Sequence, residues 1–269
     1  MGAETDNLLS PRVSSRQARL ANTVIDKGSM TVEQIANYLD VSAVTVYRDL
    51  ATLEEDGILT LKRGVVEAAV STIFDRSSAL RSGIEQHAKQ QIAELASRLV
   101  PRGASLAVDD SSTVLPTLEA VIDKSAPLTL ITNSLAVLQR ASSHPSVDIQ
   151  LIGGKYYSWS NAFYGPLAIK QLDEFRVDFC MMSDTAVSEG IVWNPYDYVA
   201  AFKQKMLRVA KTKILMVDST KFSRKALTKT CDLGVFDYLV TDKQPPKEVT
   251  KYCDRCDVQI LSSAGSVDS

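Results

Sequence analysis

The chain has 269 residues, enough for one large domain or for a medium domain with a smaller companion. Apolar residues make up 45% and charged residues 23%, and the formal net charge of −2 excludes a bulk attraction to nucleic acid or membrane, so any polyanion must be met by a local patch. No apolar run reaches the roughly 20 residues that a membrane span needs.

In chain order, residues 1–15, MGAETDNLLSPRVSS, are polar throughout and carry no leader pattern, so a disordered tail and a cytoplasmic protein are expected. RQARLANTVIDKG puts Leu20, Val24 and Ile25 on one helical face and ends at Gly28, a C-cap candidate. TVEQIANYLD repeats the pattern in a shorter form, with Thr31 and Gln34 spaced as a capping box. A third helix opens at Ser42, buries Val46, Leu50 and Leu53, and stops at Gly57. ILTLKRGVVEAA then forms two β-favouring runs around Lys62, Arg63 and Gly64, a hairpin or wing.

Residues 16–69 therefore read as a small helical domain with a wing, and 70–83 as a linker. EQHAKQQIAELASRLV is a helix that opens a second domain over 84–262, leaving 263–269 as a tail. After Gly103 the pattern alternates. ASLAVD, LTLIT, VDIQLIG, VDFCMM, KILMVD, DYLVTD and DVQIL are short apolar runs separated by helical stretches such as VLPTLEAVIDK and AAFKQKMLRVAK. Strands apolar on both faces and joined by helices imply an α/β domain with a doubly wound, Rossmann-like, mainly parallel sheet, which binds ligands at the carboxyl ends of its strands.

Cysteine and histidine usage gives no metal or cofactor site. Cys253 and Cys256 form a C-x-x-C pair with no second pair, and His87 and His144 lie far away in sequence. Two other features carry chemistry. If the helix from Ser42 enters a DNA major groove, the face opposite its core stripe offers Ser42, Ala43, Thr45, Tyr47 and Arg48, with Lys62 and Arg63 on the wing for the neighbouring backbone. The alternative is a helical docking module whose Arg48 is a solvated charge, and the acids Glu54, Glu55 and Asp56 fit it. The second feature is LAVDDSSTVLPTL, where Asp109 and Asp110 precede Ser111, Ser112, Thr113 and a helix start. Hydroxyls at a helix N-terminus suit an anion, whereas two carboxylates suit sugar hydroxyls, and a phosphorylated sugar satisfies both.

The stretch TVEQIANYLDVSAVTVYRDLATLEEDGIL resembles the N-terminal domain of DeoR-type transcriptional regulators, which typically read V-S-x-x-T-I/V-R-R-D-L. Val41, Ser42, Thr45, Val46, Arg48, Asp49 and Leu50 match, and Tyr47 replaces the first arginine. The wing departs too, with Thr60, Lys62 and Arg63 in place of the usual Arg, His and Gly. The family's sensor domain, similar to ribose-5-phosphate isomerase, is marked by a D-x-G-T-T loop, a T-N-S turn, a G-G turn and a D-x-S-K-F segment. These correspond to Asp109–Thr113, to Thr132, Asn133 and Ser134, to Gly153 and Gly154, and to Asp218–Phe222. Ser111 and Ser112 replace Gly and Thr, a variant similar to fucose-operon regulators.

The resemblance implies a repressor of a carbohydrate catabolic operon, a homodimer or homotetramer on double-stranded operator DNA, controlled by a sugar phosphate effector and without catalytic residues. Lys203 or Lys221 offsets the phosphate charge. Lys203 shares its helical stretch with Lys205, Arg208 and Lys211, so most of that charge is expected to face solvent. Trp193, Tyr196 and Tyr198 are candidates to cover a sugar ring. The alternative is a sugar-phosphate isomerase-like enzyme with an appended DNA module, using Asp109 or Asp110 as base and Lys221 beside an enediolate.

Overall fold

A computed structural model describes residues 15–27, 29–55, 59–68, 81, 83 and 85–263. The cap positions Gly28 and Gly57, the tails 1–14 and 264–269 and most of 70–83 lie outside the described residues, as does the Ile25 side chain. The chain divides into two compact units, 1–84 and 85–269.

In the first unit, helices α1 (Ser15–Lys27), α2 (Val32–Leu39) and α3 (Ala43–Glu55) join strands β1 (Ser29–Thr31), β2 (Leu59–Lys62) and β3 (Val65–Ala68). The apolar stripes converge: Leu20 and Val24, Ile35 and Leu39, Val46, Leu50 and Leu53, and Leu59 and Val66 make one core. Thr31 Oγ1 accepts from the Gln34 amide at 3.2 Å while Gln34 Oε1 accepts from the Thr31 amide at 2.9 Å, the reciprocal capping box its sequence spacing predicts. Ser42 caps α3, accepting from the Thr45 amide at 3.2 Å. Arg16 on α1 holds the buried Asp49 of α3 through two contacts of 2.6 and 2.9 Å, which fixes the rotation of α3 about its axis. The wing turns through Arg63 (φ 52°) and Gly64 (φ 80°), the two positive φ values of a type I′ hairpin. β1, which sequence periodicity misses because it has three residues, pairs with β3 to complete a sheet of order β1-β3-β2.

The second unit opens with α4 (Gln86–Ser97) and continues through β4 (Ser105–Val108), α5 (Val114–Ser125), β5 (Leu128–Thr132), α6 (Leu135–Ala141) and β6 (Val147–Leu151). A hairpin, β7 (Lys155–Tyr157) and β8 (Ala162–Tyr164), leads into α7 (Pro166–Gln171) and β9 (Val177–Met182). Next come β10 (Ala186–Ser188), β11 (Ile191–Asn194), α8 (Asp197–Val209), β12 (Ala210–Met216), β13 (Thr228–Asp232), β14 (Tyr238–Thr241), α9 (Lys247–Arg255) and β15 (Gln259–Ser262).

The seven apolar runs are the seven strands of one sheet, ordered β15-β14-β12-β9-β4-β5-β6 and parallel at every pairing. Alternate residues enter opposite cores, Leu106 and Val108 on one side and Ala107 on the other, which is why the strands read as continuously apolar. The chain runs outward from β4 to β6 and then returns to the far side of β4 as β9. The order therefore reverses between β4 and β9, and a crevice opens at their carboxyl ends.

Three features depart from the sequence pattern. The small antiparallel sheet β10-β11-β13 and the β7–β8 hairpin are additional to the predicted strands. The helical reading of AAFKQKMLRVAK overruns, because α8 ends at Val209 and β12 begins at Ala210 with no residue between. Among the described residues no helix is long and apolar enough to cross a membrane. Thr31→Ala is expected to destabilise the first unit by about 1 kcal/mol, read as faster amide hydrogen exchange in α2.

Candidate functional site

Asp109 leaves the end of β4 into the crevice and is almost wholly buried. Its Oδ1 accepts from the Ser111 amide at 3.0 Å, and its Oδ2 from the Ser183 amide beyond β9 at 3.3 Å. Lys203 of α8 lies 3.0 Å from the same Oδ2, 3.8 Å from Asp184 Oδ1, and donates to the Ser183 carbonyl at 2.5 Å. With 3% of its surface exposed, Lys203 is not part of a solvated face, which corrects the expectation from its basic neighbours. The correction is geometric. Lys203 stands on the side of α8 that packs against the sheet, whereas Lys205 pairs with the exposed Asp173.

Asp184 is held by Asn194 Nδ2 at 2.6 Å, Thr230 Oγ1 at 2.7 Å and the Thr185 amide at 2.8 Å. These groups tie β9, β11, β13 and α8 around one ammonium. Burial alone would lower the Lys203 pKa, but Asp109, Asp184 and Asp110 raise it above its ordinary value, so the ammonium stays charged. Burial also raises the Asp109 carboxyl, against the pull of Lys203.

Around this network lie the other predicted residues. Asp110 is buried beside the loop. Ser112 Oγ accepts from the buried Lys89 of α4 at 2.9 Å, a cation the sequence reading did not select. Thr113 occupies the N-cap of α5 but makes no side-chain cap bond. Thr132 Oγ1 accepts from the Ser134 amide at 3.1 Å, and Ser134 caps α6 by accepting from Val137 at 3.4 Å. Gly153 exchanges two 3.2 Å bonds with the Gln171 side chain, and a Cβ on Gly154 would lie 2.6 Å from the Tyr164 carbonyl, so this turn is built for close packing. Lys221 sits on a 3-10 turn, Ser219–Ser223, that follows β12 and is capped by Asp218.

Two polar atoms stand out. Ser111 Oγ and Asn133 Oδ1, at the ends of adjacent strands β4 and β5, are buried and have no hydrogen-bond partner among the described residues. Asn133 is otherwise anchored, its Nδ2 donating to the Phe163 carbonyl at 2.8 Å. Tyr196 and Tyr198 stack with each other and, on the β7–β8 hairpin, Tyr198 stacks on Tyr157 while Tyr196 meets Trp159. Trp193 lies apart from them on β11 and donates to the Ser188 carbonyl at 3.4 Å.

On the first unit, Ala43, Tyr47, Arg48, Lys62 and Arg63 are exposed. The hydroxyls of Ser42 and Thr45 lie 2.9 Å apart, so the pair keeps one hydroxyl hydrogen to offer a phosphate. Val44, also exposed, lies on the same turn and was not selected from sequence. Lys203→Met strands two buried carboxylates and is expected to destabilise the protein by about 3–5 kcal/mol. Lys205→Met is expected to cost under about 1 kcal/mol, both read from urea unfolding of the full chain.

The chain is similar to known proteins along most of its length. The profile of the DeoR C-terminal sensor domain matches residues 84–243, and that of the DeoR-like helix-turn-helix domain matches residues 16–72. The L-fucose operon activator of Haemophilus influenzae is 28% identical over 247 residues, 91% of this chain and 98% of that one. The lactose phosphotransferase system repressor of Lactococcus lactis is 30% identical over 219 residues, 81% of this chain and 86% of that one. The glycerol-3-phosphate regulon repressor of Haemophilus influenzae is 25% identical over 255 residues, 94% of this chain and 98% of that one. Among solved structures, ribose 5-phosphate isomerase A from Methanocaldococcus jannaschii gives a TM-score of 0.37 at 16% identity over 51% of this chain, which spans about half (54%) of that one. The sensor profile alone covers more than half of the chain, and with the helix-turn-helix ahead of it the protein belongs to the DeoR-type family of DNA-binding transcriptional regulators.

Proposed function

We infer that the protein represses a carbohydrate catabolic operon and releases its operator when a phosphorylated sugar occupies the crevice between β4 and β9. The observation that carries this reading is the pair of buried, unpartnered atoms, Ser111 Oγ and Asn133 Oδ1. A buried polar group without a partner costs about 1–3 kcal/mol, so two of them beyond the ends of adjacent strands favour a ligand that supplies the missing bonds. Asn133 Oδ1 only accepts, which calls for a hydroxyl donor on the ligand. Beside them the first amides of α5 and the dipole behind them favour an anion, and Lys89 on Ser112 brings a cation to the same loop. Lys221, at the end of β12, is a second candidate for the phosphate. The names of the relatives fit this choice, since they include sugar operons and a phosphorylated three-carbon polyol.

Binding without turnover is the better reading of the site. Both oxygens of Asp109 are committed to main-chain amides, with Lys203 on one of them, so a general base there would first have to give up its ion pair. In this reading residues 16–69 carry the DNA module, 70–83 the linker and 84–262 the sensor, and the protein works in the cytoplasm as a homodimer or homotetramer on paired half-sites. The ligand acts through different affinities for the DNA-competent and incompetent shapes.

Thermal-shift screening against sugar phosphates tests this. A hit at about 100 times its Kd stabilises the fold by about 2.7 kcal/mol, and its dephosphorylated form does not. Ser111→Ala is expected to leave the melting point of the free protein unchanged or slightly raised, while weakening the hit by about tenfold. Retention of full affinity in that variant, or silence across the panel, overturns the assignment.

A further inference from the structure

The outward face of α3 carries an apolar side chain that no described residue covers. Val44 is 77% exposed in the first turn of the helix, while Val46, Leu50 and Leu53 on its other side are fully buried. Val44, Tyr47 and Arg48 are spaced i, i+3 and i+4, so they share one face of α3. That face is the one a helix-turn-helix presents to the major groove, base contacts coming from the early turns of its second helix. An isopropyl group there can neither donate to a phosphate nor bond a base edge. The one apolar group that a base pair presents in the major groove is the C5-methyl of thymine.

We propose that Val44 reads a thymine methyl in each operator half-site. Arg48, four residues on, forks onto a guanine edge about two base-pair steps away, because four residues rise about 6 Å and one base step about 3.4 Å. The hydroxyl pair Ser42–Thr45, already capping the helix, and the wing residues Lys62 and Arg63 hold the backbone, leaving sequence choice to Val44, Arg48 and their neighbour Tyr47.

The test uses the full-length protein and a random duplex pool. Selection yields the preferred sequence, and each thymine in it is then replaced by deoxyuridine, which deletes only the methyl, with Kd measured at fixed salt. One thymine per half-site, about two steps from a guanine, is expected to lose about fourfold in affinity without its methyl. Val44→Ala is expected to shrink that step markedly while leaving the melting point of the free protein unchanged, since the side chain supports no core. If duplex is selected but no thymine responds, or the response is the same in Val44→Ala, the methyl contact is wrong while DNA binding stands. Failure to select any duplex removes the DNA reading itself. A change in oligomeric state of Val44→Ala without DNA makes Val44 a protein contact and also overturns the proposal.

Discussion

One ammonium group organises the sensor unit. Lys203 sits among Asp109, Asp184 and the Ser183 carbonyl, and each of those belongs to a segment leaving the sheet at the point where strand order reverses. Without the lysine the two carboxylates would face each other in a medium that screens poorly. With it, each carboxylate has a cation at hand, and their other lone pairs are taken by Ser111, Thr185, Asn194 and Thr230. The ion cluster therefore does for the strand ends what hydrogen bonding does for the strands: it fixes their relative positions. The apolar cores on the two faces hold the layers together, and this polar knot sets the shape of the crevice.

The crevice holds both satisfied and unsatisfied polar groups. Thr132, Ser134 and Gly153 belong to the same ring of loops, yet their polar atoms are used by the fold. Ser111 Oγ and Asn133 Oδ1 are not. The Asp109 carboxylate, a sugar-recognition candidate in the sequence, has both oxygens engaged by the fold. It orients Ser111 through the amide of that residue. Of the two acids that precede the three hydroxyls, Asp109 braces the loop from behind.

Much of the architecture was legible because its physics is local. Continuous apolar runs separated by helices specify a two-sided parallel sheet, and a Thr-x-x-Gln start or a Val46-Leu50-Leu53 stripe specifies a helix by spacing alone. The antiparallel additions were not. AVSEGIVWN has no clean alternation, which hides the tight β10–β11 hairpin through Glu189 and Gly190, and β13 joins β11 across a long interval of sequence. Lys203 was misjudged because four basic residues within nine look like a solvated face, and only the path of α8 decides which one turns inward. Lys89 and Asp184 escaped for a related reason. A single charge in an ordinary helix or after a strand carries no periodic signal, and its partner lies tens of residues away.

The direct passage from α8 into β12 leaves no slack between a helix and a strand in the middle of the sheet. A connecting loop would absorb small displacements as torsional changes; here none is available. The helix that carries Lys203 thus runs unbroken into the strand that pairs with both β9 and β14, so the ion cluster and the sheet share one continuous stretch of regular backbone.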